Sequence, residues 1–258
     1  MQGSQSSETL PPPASSNIDK SLHSPNGSTA LNSSLERVSA QGKRLRLEVM
    51  ESRVLLPGSE FLIAQNGVEG SLRRPRDGNV IVGSEETDCD VVIKDEEGLM
   101  GRRHFMLFWQ GEVCYLKDLG EGAGTFIRVN GSCPLTSGCI VSFSDVHILV
   151  LLEGSTLLLT PLTGDKMGKE SSFLPDSSPI LVGRTPTCTL QFPDKSLSRS
   201  QCSFAYDAQT ASWRLFDGLN SCKPSTNGTW VMNKEPTELA AGVVFKAGSS
   251  LFKAAEFL

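Results

Sequence analysis

Histidine and aromatic residues are scarce in this 258-residue chain: three His, with Phe, Tyr and Trp together at 7%. His23 lies in a serine-rich N-terminal stretch, His104 in a basic turn and His147 in an apolar run. Neither G-x-S-x-G nor H-E-x-x-H occurs, so the usual sequence signs of a hydrolase are missing. The seven cysteines (Cys89, Cys114, Cys133, Cys139, Cys188, Cys202, Cys222) form no C-x-x-C and no His/Cys group at zinc spacing. No metal or other cofactor is implied, and the thiols are expected to be reduced. Gly164-Asp-Lys-Met-Gly168-Lys169 lacks the glycine spacing and the following Ser or Thr of a phosphate loop. Gly120-x-Gly122-x-Gly124 is followed by no helix pattern, so it is not a dinucleotide fingerprint. The expectation is a protein that is not an enzyme.

Long hydrophobic runs are absent too. Val146 to Leu152 is interrupted by His147 and falls far short of a bilayer span. No basic stretch leads into an apolar one at the N-terminus, so no secretory signal is read and an intracellular chain is expected, with no membrane partner. A net charge of -5 and a pI near 5.3 argue against nucleic-acid binding, which needs clustered positive charge.

What is present divides into a tail and a repeat. Residues 1–42 carry eleven serines and Pro11-Pro12-Pro13 with no aromatic residue, a composition that cannot bury enough surface to offset chain entropy. This tail is expected to be disordered, with Thr9 and Ser24 as candidate phosphorylation sites. From Lys43 onward, short β-branched and aromatic runs alternate with Gly, Pro, Asn and Asp, and no apolar period of 3.6 residues is sustained. The fold class expected is all-β and sandwich-like.

Val80-Ile-Val-Gly83 returns as Ile180-Leu-Val-Gly183. Each is followed by a cysteine-containing run (Cys89-Asp-Val-Val-Ile, Cys188-Thr-Leu-Gln-Phe) and a basic turn (Gly101-Arg-Arg-His, Ser198-Arg-Ser-Gln). A Gly-Thr-aromatic triplet then closes the series, Gly124-Thr-Phe and Gly228-Thr-Trp. A period near one hundred residues is far longer than a solenoid repeat and reads as two copies of one domain, 43–153 and 154–258, with almost no linker. The first copy holds 12 basic and 17 acidic residues, the second 10 and 9, so the second is the better host for an anion.

In the second copy, Gly183-Arg184, Ser198-Arg199 and Asn227-Gly228-Thr229 fall in predicted loops, which collect at the ends of a sandwich. Two guanidinium forks, a hydroxyl and an amide suit a doubly charged phosphate on a peptide. Gly-Arg, then Ser-x-x-His, then Asn-Gly-Thr is the pattern of the forkhead-associated (FHA) domain, and the chain resembles a tandem FHA protein over roughly residues 43–258. The stretch from Asp217-Gly218 to Trp230 looks especially like FHA domains of ciliates and other protists. The resemblance implies a β-sandwich reading phosphothreonine in a partner protein. Arg184 and Ser198 would contact the phosphate, Arg199 would support the phosphate or the adjacent backbone, and Asn227 would hold the peptide main chain. Gly183, Gln201, Gly228 and Thr229 would support the site, with Gln201 standing where the family has His. The first copy has Ser84, Gly101 and Ala123 at the positions of the family's Arg, Ser and Asn, while keeping His104, Gly124 and Thr125. It is expected to be a degenerate domain for packing or docking. Arg102, Arg103 and the Arg73-Arg74-Arg76 cluster read as solvated loop charge. The alternative for the whole chain is a docking scaffold indifferent to phosphate.

Overall fold

The computed structural model describes residues 43–70, 78–219 and 223–257. The tail with Thr9 and Ser24, the Arg73-Arg74-Arg76 cluster and Cys222 lie outside the described residues. The first copy forms β1 (Arg44–Glu51), β2 (Glu60–Ala64), β3 (Gly67–Val68), β4 (Val80–Gly83), β5 (Val91–Val92) and β6 (Phe105–Gln110). It continues with β7 (Val113–Asp118), β8 (Thr125–Arg128), β9 (Ser132–Pro134), β10 (Ile140–Phe143) and β11 (Val146–Glu153). The second copy forms β12 (Thr156–Pro161), β13 (Ser171–Phe173), β14 (Ile180–Gly183), β15 (Leu190–Gln191) and β16 (Cys202–Asp207). It ends with β17 (Ser212–Asp217), β18 (Trp230–Met232), β19 (Thr237–Glu238), β20 (Val244–Ala247) and β21 (Ser250–Phe257). Apart from one 3-10 turn at Pro175–Ser177, the regular structure among the described residues is all strand. The chain is all-β, with its strands layered as sandwiches.

Alternation of side chains decides which face each strand buries. Leu45, Leu47 and Val49 of β1 point inward between half-exposed Arg44, Arg46 and Glu48, and Trp213 and Leu215 of β17 do the same. The strands assemble into one eleven-stranded sheet, β13-β12-β11-β10-β18-β8-β20-β21-β1-β2-β3, and two five-stranded sheets, β15-β14-β16-β17-β9 and β19-β7-β6-β4-β5. Each small sheet covers half of the long one, which gives two separate cores.

The two sandwiches are not the two sequence copies. Strands β9, β10 and β11 of the first copy pair with β17, β18 and β12 of the second. In return β19, β20 and β21 pair with β7, β8 and β1. The segments 43–153 and 154–258 therefore exchange their last three strands. The cause lies in the join: β11 turns directly into β12 through Gly154-Ser155, with Glu153 opposite Thr156. Gly154 takes φ 60°, as a tight hairpin turn requires. A two-residue link makes β11 and β12 hairpin partners, so the last strand of the first copy belongs to the sandwich that begins the second.

The exchanged strands fit their hosts in size. Phe245 and Phe252, from the end of the chain, pack on Phe105 with ring centroids 5.4 and 5.9 Å away. Phe143 crosses the other way to meet Phe192 at 6.1 Å. Where the copies cross, β8 and β18 lie side by side with Arg128 opposite Trp230, which fuses the two halves of the long sheet.

Candidate functional site

Three loops meet at the end of the sandwich built on β14–β18: the one after β14, the one before β16 and the one before β18. Gly183 closes β14 against the second loop, where a Cβ would stand 2.3 Å from the Arg199 carbonyl oxygen. Only glycine permits that approach, and the Arg184 N–H then donates to the Ser198 carbonyl (3.2 Å).

Beneath these loops runs a buried polar chain. Gln201, 1% exposed, accepts the Ser198 N–H on its Oε1 at 3.1 Å. Its Nε2 donates to Ser225 Oγ (2.8 Å) and to the Gly228 carbonyl (3.0 Å). One amide thus joins the second and third loops, using donor and acceptor together. Asp217 accepts from Ser225 Oγ at 2.6 Å and Thr229 Oγ1 at 2.8 Å, both buried. Gly228 holds φ 77°, the left-handed turn that glycine adopts without a Cβ penalty.

On this frame Ser198 is half-buried, its Oγ accepting the Thr226 N–H at 3.0 Å. Arg184 and Arg199 are exposed. Arg184, Ser198 and Arg199 line one open cleft of about 580 Å³, joined by Lys195, Lys223 and Thr226. The described lining residues hold four cationic side chains and no carboxylate. Asn227 is not among the lining residues of this cleft: its Nδ2 donates to the Ser196 carbonyl (3.1 Å), and it lines a neighbouring cleft with Trp230 and Arg128. Gly183, Gln201, Gly228 and Thr229 are buried below as framework.

The first copy builds the same framework around different tips. A Cβ on Gly83 would stand 2.3 Å from the Arg102 carbonyl oxygen. His104, fully buried, accepts the Gly101 N–H on Nδ1 (2.9 Å), as Gln201 accepts that of Ser198. Asp118 accepts from the backbone N–H of Gly120 (2.7 Å) and Thr125 (2.6 Å). At the surface the chemistry is reversed. The Arg102 guanidinium is held by Glu85 (3.0 and 3.1 Å), and Glu121 Oε2 accepts the Arg103 N–H (2.9 Å). Arg102 is thus an ion-paired side chain, and carboxylates occupy the region that the second copy leaves cationic.

Other reactive groups are withdrawn. Burial lowers the His104 pKa below its ordinary 6.5, and burial with nearby Lys246 lowers that of His147. Burial pushes the Cys114 thiol up to about 12 and Cys133 up to about 11, so neither is a thiolate near neutral pH. Among the described residues no group of three or more His, Cys, Asp or Glu is placed to hold a metal ion, and no helix is long and apolar enough to cross a membrane.

The residues that the sequence reading passed over are Asp217, Ser225 and Thr226, which fix the loops, and Lys195 and Lys223, which flank the cleft. The available signal was the pairing of Asp118 with Asp217 at the end of corresponding strands in the two copies.

Compared with known protein families, the chain matches the FHA domain at residues 80–144 and again at 180–249, together just over half its length. No curated protein matches it. Among solved structures, one described as "Structural and functional analysis of phosphothreonine-dependent FHA domain interactions" is 21% identical, with a TM-score of 0.23. That likeness covers 43% of this chain and 97% of the other.

Proposed function

Since the chain belongs to the FHA domain family, matched in both of its copies, we propose that it is a phosphothreonine-dependent protein-binding adaptor whose single reading site is the Arg184 cleft. The observation that carries this reading is a cleft lined by Arg184, Lys195, Ser198, Arg199 and Lys223, with no carboxylate among its described lining residues.

A phosphothreonine carries close to two negative charges at pH 7 and three acceptor oxygens. Arg184 and Arg199 offer planar forks to those oxygens, and Ser198 adds a hydroxyl. Asn227, at the neighbouring cleft, takes the main chain of the bound peptide. Gly183, Gln201, Gly228 and Thr229 hold these groups in place without touching the ligand. The first copy, with Ser84, Gly101 and Ala123 at the tips and Glu85 and Glu121 beside them, serves packing or docking. The role is non-catalytic binding of a phosphorylated protein inside the cell.

Hydrogen bonds to a charged group contribute about 1.5–3 kcal/mol each. Ordering a flexible peptide costs several kcal/mol in return. The balance places the affinity near micromolar, about -8 kcal/mol. Fluorescence anisotropy with a degenerate phosphothreonine peptide library tests the reading. Binding that disappears with unphosphorylated peptides and with Arg184→Ala supports it. Equal binding of unphosphorylated peptides would instead mean a docking scaffold indifferent to phosphate.

A further inference from the structure

The cleft that Asn227 faces is built by both copies. On the long sheet, Ser142 of β10 stands opposite Trp230 of β18, and Trp230 opposite Arg128 of β8. One row along, Phe126 of β8 stands opposite Lys246 of β20. Period-two alternation puts these side chains on one face, with Val141, Ile127 and Phe245 turned to the cores on the other. Strand exchange is what brings Arg128 of the first copy beside Trp230 of the second.

The two cations are displayed in distinct ways. The Lys246 ammonium lies 4.8 Å from the Phe126 ring centroid and 5.3 Å from that of Trp230, and donates to Ser142 Oγ at 3.2 Å. The Arg128 guanidinium lies 5.9 Å from the Trp230 ring centroid. It also passes directly over the Asn227-Gly228 turn, where a Cβ on Gly228 would stand 2.9 Å from its Nε. Neither Arg128 nor Lys246 is ion-paired among the described residues. The other charges lining the cleft are Arg53 and Glu97, which pair with each other, and Glu51. Trp230 Nε1 donates to the Asn227 carbonyl (3.2 Å), which ties this platform to the loop at the phosphate cleft. Thr226 lines both clefts, so they adjoin.

We propose that this cleft is a second subsite, in which Arg128 and Lys246 select an anionic side chain of the bound peptide on the Asn227 side of its phosphothreonine. The inference rests on the reading of the Arg184 cleft given above. Two sources supply such a side chain, an Asp or Glu carboxylate and a second phosphate. Both are met by the same fork and ammonium, flanked by an aromatic wall. Burial brings the Lys246 pKa down to about 8, opposed in part by Asp145, so Lys246 is charged at neutral pH and its charge declines above it.

The test uses the full chain and phosphothreonine peptides with otherwise neutral flanks, in which one Glu is moved through each position on both sides. At the favoured position phosphoserine then replaces Glu. Glu on one flank is expected to tighten binding about tenfold over the neutral peptide, and phosphoserine more. Arg128→Gln and Lys246→Gln should each shrink that ratio, and the double variant should bring it to about one, with Arg128→Lys keeping part of it. Arg184→Ala should weaken acidic and neutral peptides alike. A Glu scan that is flat on both flanks would overturn the subsite, as would a preference that survives the double variant. Failure of every phosphopeptide to bind the unaltered chain would overturn the underlying reading and the subsite with it, a result distinct from either.

Discussion

The two loop clusters share a frame and differ at its tips. Gly83 and Gly183 meet the same carbonyl position at 2.3 Å, and His104 and Gln201 accept the same backbone N–H. Asp118 and Asp217 anchor the same corner. Above that frame, Arg102 is neutralised by Glu85, whereas its counterpart Arg199 has Thr185 as neighbour, whose hydroxyl donates to the Arg199 carbonyl (3.1 Å). Glu121 stands where the second copy has Ser225. The frame is thus common to both clusters, and the charge at the tips is what differs.

The largest effect is expected from the strand exchange on which both clusters depend. Glu48 of β1 and Lys253 of β21 are cross-strand partners, and such neighbours lie within disulfide reach. Glu48→Cys with Lys253→Cys should cross-link nearly completely within a monomer, read as a mobility shift on a non-reducing gel. Copies folded each on itself would place β11 beside β1 and leave the pair unlinked. Next in size is removal of the anchors. Asp217→Ala leaves the buried Ser225 hydroxyl without its acceptor and the Thr229 hydroxyl with the Gln201 carbonyl alone (3.2 Å), and should cost about 2–3 kcal/mol in denaturant unfolding, with weaker phosphopeptide binding. Asp118→Ala should cost a similar amount and leave phosphopeptide affinity alone.

A graft sharpens the comparison further. Ser84→Arg, Gly101→Ser and Ala123→Asn together restore the second copy's residues to the first. A Cβ on Gly101 would nevertheless stand 2.6 Å from the Glu121 backbone carbon. The triple variant should lose about 1–3 kcal/mol to that overlap and gain no second phosphopeptide site in a binding titration. The smallest effect concerns the one framework position that differs. Because burial holds the folded-state pKa of His104 below its ordinary value, the unfolded chain binds a proton first as pH falls. Stability therefore drops with pH below about 6.5, and His104→Gln, borrowing the second copy's solution, should make that drop shallower in unfolding curves from pH 7 to 5.

The all-β class and the repeat were legible because strand-length runs and turn residues recur in the same order. The exchange was not. Strands β9–β11 and β19–β21 carry the same apolar alternation, so either set satisfies either sandwich in one dimension, and only the two-residue join at Gly154-Ser155 hinted at the pairing. At the site, Arg184, Ser198 and Arg199 line one cleft, and Asn227 lines the neighbouring one. Lys195 and Lys223 were invisible because an exposed lysine in a turn has no signature of its own. Asp217 opened the stretch that resembles FHA domains yet carried no role in the sequence, since its two buried partners, Ser225 and Thr229, become neighbours only when the third loop folds over it. The platform of Arg128, Trp230 and Lys246 had no sequence signature at all, because its residues lie on three strands from two copies.

The number of phosphothreonine peptides bound per chain tests the contrast between the clusters most directly. Calorimetric titration of the full chain should give one, lost with Arg184→Ala and kept with Ser84→Ala. Two peptides per chain, or binding that survives Arg184→Ala and is lost with Arg102→Ala, would contradict the account and place reading in the first copy.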